Sequence, residues 1–209
     1  MSRCVIIAAG IYEDPSVLSG YLQADDYVMA ADGGWHLAQL MGVTPSVLVA
    51  DFDSMSMPTF PDDIELISLP IEKDETDTAY ALRVAYEAGY REFLLLGCTG
   101  GRLDHWQAAL AVGAEYTRRG CEVILADENN EIHLLTAGAY AFPVSADEKV
   151  SMFAFGGEVT GLFADGLYYD VTDLTLSPFD PLCVSNFCTE EDFQLVFESG
   201  ILMLCFSKD

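Results

Sequence analysis

Over its first 127 residues the chain alternates short, unbroken apolar runs with amphipathic stretches, and this alternation limits its fold more than any other feature. The runs are "CVIIAA" (4–9), "YVMAA" (27–31), "VLVA" (47–50), "FLLL" (93–96) and "VILA" (123–126). Between them lie helix-like segments such as "TDTAYALRVAYEAG" (76–89) and "DHWQAALAVGAEYTRRG" (104–120), each closed by glycine as helices often are. Apolar strands that do not alternate in polarity are covered on both faces, and strands separated by helices pair in parallel. The pattern therefore predicts an α/β region built on a buried parallel sheet. Beyond about residue 135 the pattern changes: glycine and proline punctuate short runs such as "VSMFAF", "LYYDVTDLTL" and "ILMLCF", and no long helical period follows. A smaller antiparallel β domain is expected there, giving domains at 1–134 and 135–209.

Charge narrows the function. The net charge is −25, with 34 acidic residues against nine Lys and Arg. That balance argues against nucleic acid or an anionic membrane surface as a partner, since both require basic patches. The six cysteines form no CxxC pair and no zinc-like spacing, and the three histidines are scattered. The N-terminal apolar run is too short for a signal-peptide core or a membrane span. A reducing, cytoplasmic setting is the expectation.

The apolar runs end in polar or glycine chemistry. "YVMAA" leads into Asp32-Gly33-Gly34, "VLVA" into Asp51-Phe52-Asp53-Ser54, "FLLL" into "GCTGGRLDH" (97–105), and "VILA" into Asp127. In an extended backbone Asp51 and Asp53 point to the same side. Two carboxylates that close repel by roughly 1 kcal/mol even in water, and by more where water is excluded. Either the pair is solvated at a strand end or a cation sits there. Ligands of open parallel sheets bind outside the carboxyl ends of the strands, so Asp32, Asp51, Asp53 and Asp104 are expected near one rim.

Two further segments carry double readings. In "KDETD" (73–77), Asp74 or Thr76 can simply cap the helix that follows, with the acids complementing its positive end. Alternatively Asp77 joins a metal site while Lys73 and Thr76 face an anion at the helix N-terminus. In "GCTGGRLDH" the glycines can be a plain strand-to-helix turn, or they can let backbone amides approach a ligand beside Arg102, whose guanidinium matches phosphate oxygens. Lys73 and Arg102 are two of only nine basic residues, and both fall in these segments. Carboxylates for a hard cation and two basic groups for phosphate imply magnesium and phosphoryl or pyrophosphoryl transfer from a nucleotide. No GxxxxGK[ST] or kinase-type glycine loop is present.

Taken in order, "AADGG" (30–34), "TPSVLVADFDSM" (44–55), "KDETDTAYAL" (73–82), "GCTGGRLDH" (97–105), and "SN" (185–186) followed by "GILML" (200–204) resemble the thiamine pyrophosphokinase family. The resemblance implies transfer of the pyrophosphoryl group of ATP to the hydroxyl of thiamine, giving thiamine diphosphate and AMP. It also implies a Rossmann-like N-terminal domain, a C-terminal β-sandwich, and a homodimer with sites between its subunits. Carried onto this chain, Asp51, Asp53 and Asp77 are the implied magnesium set, with Asp74 a weaker member. Thr76, Lys73 and Arg102 are the implied phosphate contacts, Asp32 and Asp104 complete the nucleotide and transfer region, and Ser185 and Asn186 meet thiamine. Asp77 and Asp104 are both candidates for accepting the hydroxyl proton.

The chain departs from the family pattern at Trp35, His36, Ala109 and Phe187, positions that bear on nucleotide contacts or substrate fit rather than on the chemistry. Two rival readings remain. "VLVADFDSM" also fits a haloacid-dehalogenase-like phosphatase with Asp51 as nucleophile and Asp53 as acid/base, although no later lysine and paired-aspartate signature follows. The other is a metal- or nucleotide-binding module without turnover.

Overall fold

The apolar runs become the strands of a mixed α/β fold with few helices in the computed structural model of the chain. Residues 2–51, 61, 64–69, 74–145 and 148–208 are described. The chain divides into two units, Met1–Gly113 with Ile124–Glu128, and Ala114–Val123 with Asn129–Asp209.

In the first unit the strands are β1 (Cys4–Ile7), β2 (Tyr27–Ala31), β3 (Val47–Ala50), β4 (Glu65–Ser68), β5 (Glu92–Leu96) and, from Ile124 onward, β6 (Glu122–Ala126), in the spatial order β6-β5-β1-β2-β3-β4. The pairs β1–β2, β1–β5, β2–β3 and β3–β4 are all parallel. All four residues of β1 and the residues Leu48 to Ala50 of β3 are inaccessible to solvent, which is why their sequences carry no polar alternation. Each such Val, Leu or Ile contributes about 1.5–3 kcal/mol of burial. The edge strand β4 is mostly exposed and has no apolar run, so periodicity does not reveal it.

The helices are α1 (Gly34–Leu40), α2 (Asp77–Glu87) and α3 (Leu103–Arg118), with a 3₁₀ turn at Pro15–Tyr21. Thr76 is the N-cap of α2, accepting the Ala79 N–H at 3.2 Å. The capping reading of "KDETD" is therefore correct for that residue. Trp35 is buried in a cluster with Ala30, Leu48, Ala50 and Ile64, a packing role for a residue that departs from the family pattern.

The second unit contains β7 (Asn130–Pro143), β8 (Lys149–Ala154), β9 (Val159–Asp165), β10 (Val171–Leu176), β11 (Asn186–Phe187) and β12 (Asp192–Ser207). Its pairings are antiparallel: β12 with β7, β8 and β9, β9 with β10, and β8 with β11. Phe193, Leu195 and Phe197 of β12 point into one core, and after a register shift Leu202, Leu204 and Phe206 enter that same core. The shift moves burial from odd to even positions, so a single 16-residue strand reads as separate short runs.

All six cysteines are free thiols. Burial pushes Cys4 and Cys98 up to about 12 and Cys188 up to about 11, so these side chains stay protonated and act as small apolar groups. Among the described residues no helix is long and apolar enough to cross a membrane.

Candidate active site

A cleft of about 360 Å³ opens at the carboxyl ends of the central strands of the first unit. Ala8 to Gly10 beyond β1, Ala31 and Asp32 at the end of β2, and Gly97 to Thr99 beyond β5 form its floor. Thr76 to Thr78 at the start of α2, and Gly101, Arg102 and His105 around the start of α3, form its walls. Two helix N-termini thus face one cavity. The free N–H groups of a first turn favour an anion there. The Thr76 hydroxyl accepts from Ala79 and keeps its own proton to donate.

The floor is tight because glycine permits it. Gly97 has φ +75°, and a Cβ there would lie 2.3 Å from the Ala8 carbonyl oxygen. Asp32, by contrast, is a non-glycine residue at φ 49°. A left-handed turn costs an L-residue about 1–2 kcal/mol, least for Asn and Asp. It is held by two backbone bonds: the Asp32 N–H donates to Val49 O at 2.7 Å, and Asp32 O accepts from Trp35 N–H at 3.2 Å. The turn brings Asp32 into the cleft floor as the chain enters α1.

Arg102 is the one arginine on this wall. Its Nη2 lies 2.6 Å and its Nε 3.1 Å from the two carboxylate oxygens of Asp104, and both side chains are largely exposed. The hydrogen bonds from Arg102 hold the Asp104 carboxyl below the ordinary carboxylate range and raise the guanidinium in turn. An exposed pair of this kind is readily exchanged for another anion. Asp104 is also a weakened proton acceptor while it is paired. A second arginine, Arg83, has a different use: it binds Glu75 at 2.8 Å and lies 4.4 Å over the Tyr80 ring, tying the segment ahead of α2 to the helix.

The cleft gathers four of the residues expected from the sequence, namely Asp32, Thr76, Asp77 and Arg102. Asp51 is half-buried just past β3, the strand next to β2, and is not part of the lining. Asp74 and Asp104 are exposed beside the cleft rather than on its wall. Asp53 and Lys73 lie outside the described residues. Among the described residues no cluster of three or more His, Cys, Asp or Glu forms a metal cage. Among the described residues, Asp32 and Asp77 on the cleft lining and Asp51 at the next strand end carry carboxylates, the ligand type that suits a hard divalent cation. The lining also includes Gly10, Thr99 and His105, which sequence reasoning did not single out as site residues. Gly10 directly follows the first apolar run, and that position is the sequence signal that points to it. Ala109, another departure from the family pattern, is buried and reaches the cleft.

Ser185 and Asn186 belong to the second unit. Ser185 sits at φ 58° and donates its N–H to Ser151 Oγ at 3.0 Å. Asn186 is buried, and its amide is engaged with backbone: it donates to Tyr169 O at 2.9 Å and accepts from the N–H groups of Tyr169 and Phe187, each at 3.0 Å. These bonds hold up an exposed aromatic surface in which Tyr168 stacks on Phe187 at 4.6 Å and meets Tyr169 edge-on.

A parallel sheet with carboxylates, an arginine and two helix N-termini converging beyond its strand ends defines an α/β protein that handles phosphate-bearing ligands. The family model described as thiamin pyrophosphokinase, catalytic domain, matches residues 18–125, and the model described as its vitamin B1 binding domain matches residues 140–202. The chain belongs to the thiamin pyrophosphokinase family. It is 25% identical to the thiamine pyrophosphokinase of Bacillus subtilis over the full length of both chains. It also superposes on the crystal structure of the Bacillus subtilis protein with a TM-score of 0.88 at 24% identity and full coverage of both chains. For the thiamin pyrophosphokinase of Geobacillus thermodenitrificans the TM-score is 0.86 at 28% identity, with 99% of this chain and 98% of that one covered. These matches do not favour a haloacid-dehalogenase-like phosphatase or a module without turnover.

Proposed function

We infer that this chain transfers the terminal two phosphoryl groups of ATP, as one unit, to the hydroxyl of thiamine. The hydroxyl oxygen bonds to the β-phosphorus, the bond from that phosphorus to the α–β bridging oxygen breaks, AMP leaves with the bridging oxygen, and the hydroxyl proton is released. The observation that carries the assignment to this cleft is the convergence of Arg102, Thr76, Asp32 and Asp77 on one cavity at the strand ends. Such a reaction needs alignment and charge neutralisation more than covalent help. Arg102, with Lys73 and Thr76, holds phosphate oxygens; exchange of Asp104 for phosphate on Arg102 keeps the guanidinium paired throughout. Asp51, Asp53 and Asp77, with Asp74 at the margin, hold magnesium, and Asp32 and Asp104 complete the nucleotide region. Bound magnesium supplies charge neutralisation on the triphosphate. Asp77 lines the cleft and Asp104 pairs with Arg102 in the free protein; these two carboxylates are the candidates to receive the thiamine proton.

The remaining elements of the reading follow the family. A Rossmann-like half (1–134) takes ATP and a β-sandwich half (135–209) takes thiamine, in a cytoplasmic homodimer whose sites lie between subunits. Support for the thiamine half comes from the exposed rings of Tyr168 and Tyr169, flat faces of the kind that attract a cationic heterocycle. Ser185 contacts thiamine, and Asn186 serves it by holding Tyr169 in place.

Two ATP analogues test where the bond breaks. With β,γ-methylene-ATP, thiamine and magnesium, AMP is the expected nucleotide product, because the methylene group stays within the transferred unit. α,β-Methylene-ATP is expected to compete with ATP without being consumed. Turnover of the α,β-methylene compound contradicts cleavage between the α- and β-phosphates.

A further inference from the structure

Asp127, which ends the last apolar run of the first unit, has no part in the assignments above. It follows β6 and is 6% exposed. Thr99 Oγ1 donates to Asp127 Oδ2 at 2.6 Å. A hydroxyl has a single proton to give, and Thr99 spends its own on Asp127, so the one Tyr12 hydroxyl proton is shared between Thr99 O at 3.0 Å and Thr99 Oγ1 at 3.1 Å. Burial pushes the Tyr12 phenol up to about 12, which keeps that proton in place at neutral pH. The result is a directed chain, Tyr12 to Thr99 to Asp127, linking three segments far apart in sequence.

Backbone packing around this chain is close. A Cβ at Gly10 would lie 2.5 Å from Thr99 O and 2.6 Å from the Tyr12 hydroxyl oxygen, and one at Gly100 would lie 2.4 Å from Ile11 O. Thr99 itself lines the cleft, three residues before Arg102. The loop from Gly97 to Arg102 contains Gly97, Gly100 and Gly101, a composition with high conformational freedom unless it is pinned. Ordering such a loop only when ligand arrives would subtract from affinity, whereas a loop already ordered does not incur that loss.

We propose that Tyr12, Thr99 and Asp127 form a brace that positions the Gly97–Arg102 loop, and through it Arg102, for the phosphates of ATP. The three are positioning residues, and the proposal rests on the reading of Arg102 as a phosphate contact. Loss of one hydrogen bond in the brace is expected to weaken ATP capture about tenfold.

The test uses the whole chain, with KM for ATP and kcat measured separately. Thr99→Val is expected to raise KM for ATP about tenfold while kcat stays within about threefold. Thr99→Ser, which keeps the hydroxyl, is expected to restore both constants. Tyr12→Phe gives the same direction and serves if Thr99→Val does not fold. The Tyr12→Phe/Thr99→Val double variant should be no worse than Thr99→Val, because the residues act as one chain. Arg102→Ala is measured alongside as the reference. A normal KM in Thr99→Val beside a lowered kcat/KM for ATP in Arg102→Ala overturns the brace alone. Failure of Thr99→Ser to restore KM also overturns it, since the hydroxyl is then not the cause. A normal kcat/KM for ATP in Arg102→Ala overturns the phosphate reading of that arginine, and the brace with it.

Discussion

Arg102→Ala is expected to lower kcat/KM for ATP by about 10³-fold, the scale of removing one donor aimed at the transferred group. The side chain is 73% exposed, and its hydrogen bonds are to Asp104, itself 63% exposed. Deleting it therefore removes little packing, and the thermal unfolding midpoint should be unchanged. Activity and stability separate at this residue. Arg102→Lys is expected to recover only part of the loss, because an ammonium cannot make the paired, planar contact of a guanidinium with phosphate. Steady-state kinetics with ATP varied, together with a thermal melt of each variant, give the result. A fall in melting temperature that parallels the fall in activity would count against a role in binding.

Gly97→Ala is the converse case, a large effect on the fold. The added methyl would meet the Ala8 carbonyl oxygen at 2.3 Å, and the φ of +75° is one that alanine resists. Conformational strain and overpacking each contribute 1–3 kcal/mol, so a destabilisation of about 3 kcal/mol is expected. For a chain of this size that corresponds to a melting midpoint lowered by about 10 °C. Gly101→Ala in the same loop is the control. Nothing lies within 4 Å of a Cβ at Gly101, and the melt should not move. Calorimetry on the two variants distinguishes a tightly packed cleft floor from a loop that tolerates change.

The parallel half of the fold is legible because burial on both faces removes polar residues altogether, leaving unmistakable runs such as "CVIIAA" and "FLLL". The exposed strand β4 has no such run and is not legible. In the second unit β12 changes its buried phase partway along, which hides a single long strand behind two short patterns. At the site, the rule that strand ends share one rim points to Asp32, Asp51, Asp53 and Asp104; of these Asp32 lines the cleft, while Asp77 and Arg102 reach it from the segments that lead into α2 and α3. The Thr99–Asp127 bond does not follow from that rule, because no local spacing connects residues 28 apart through a side-chain hydroxyl. Asn186 shows a related limit. Nothing in its motif announces that its amide bonds to the backbone of Tyr169, a partner 17 residues away that only the folded chain supplies.

Thr76 shows that structural and functional readings of one residue need not exclude each other. Its hydroxyl caps α2 and also faces the cleft, so the group that starts the helix also borders the anion site at its end.

The most direct measurement is ³¹P NMR of the protein incubated with thiamine, ATP and magnesium. Equal amounts of AMP and thiamine diphosphate, formed from the first turnovers onward, are the predicted result. ADP together with thiamine monophosphate, or ADP with free phosphate and no thiamine ester, would contradict transfer of the pyrophosphoryl group as a unit.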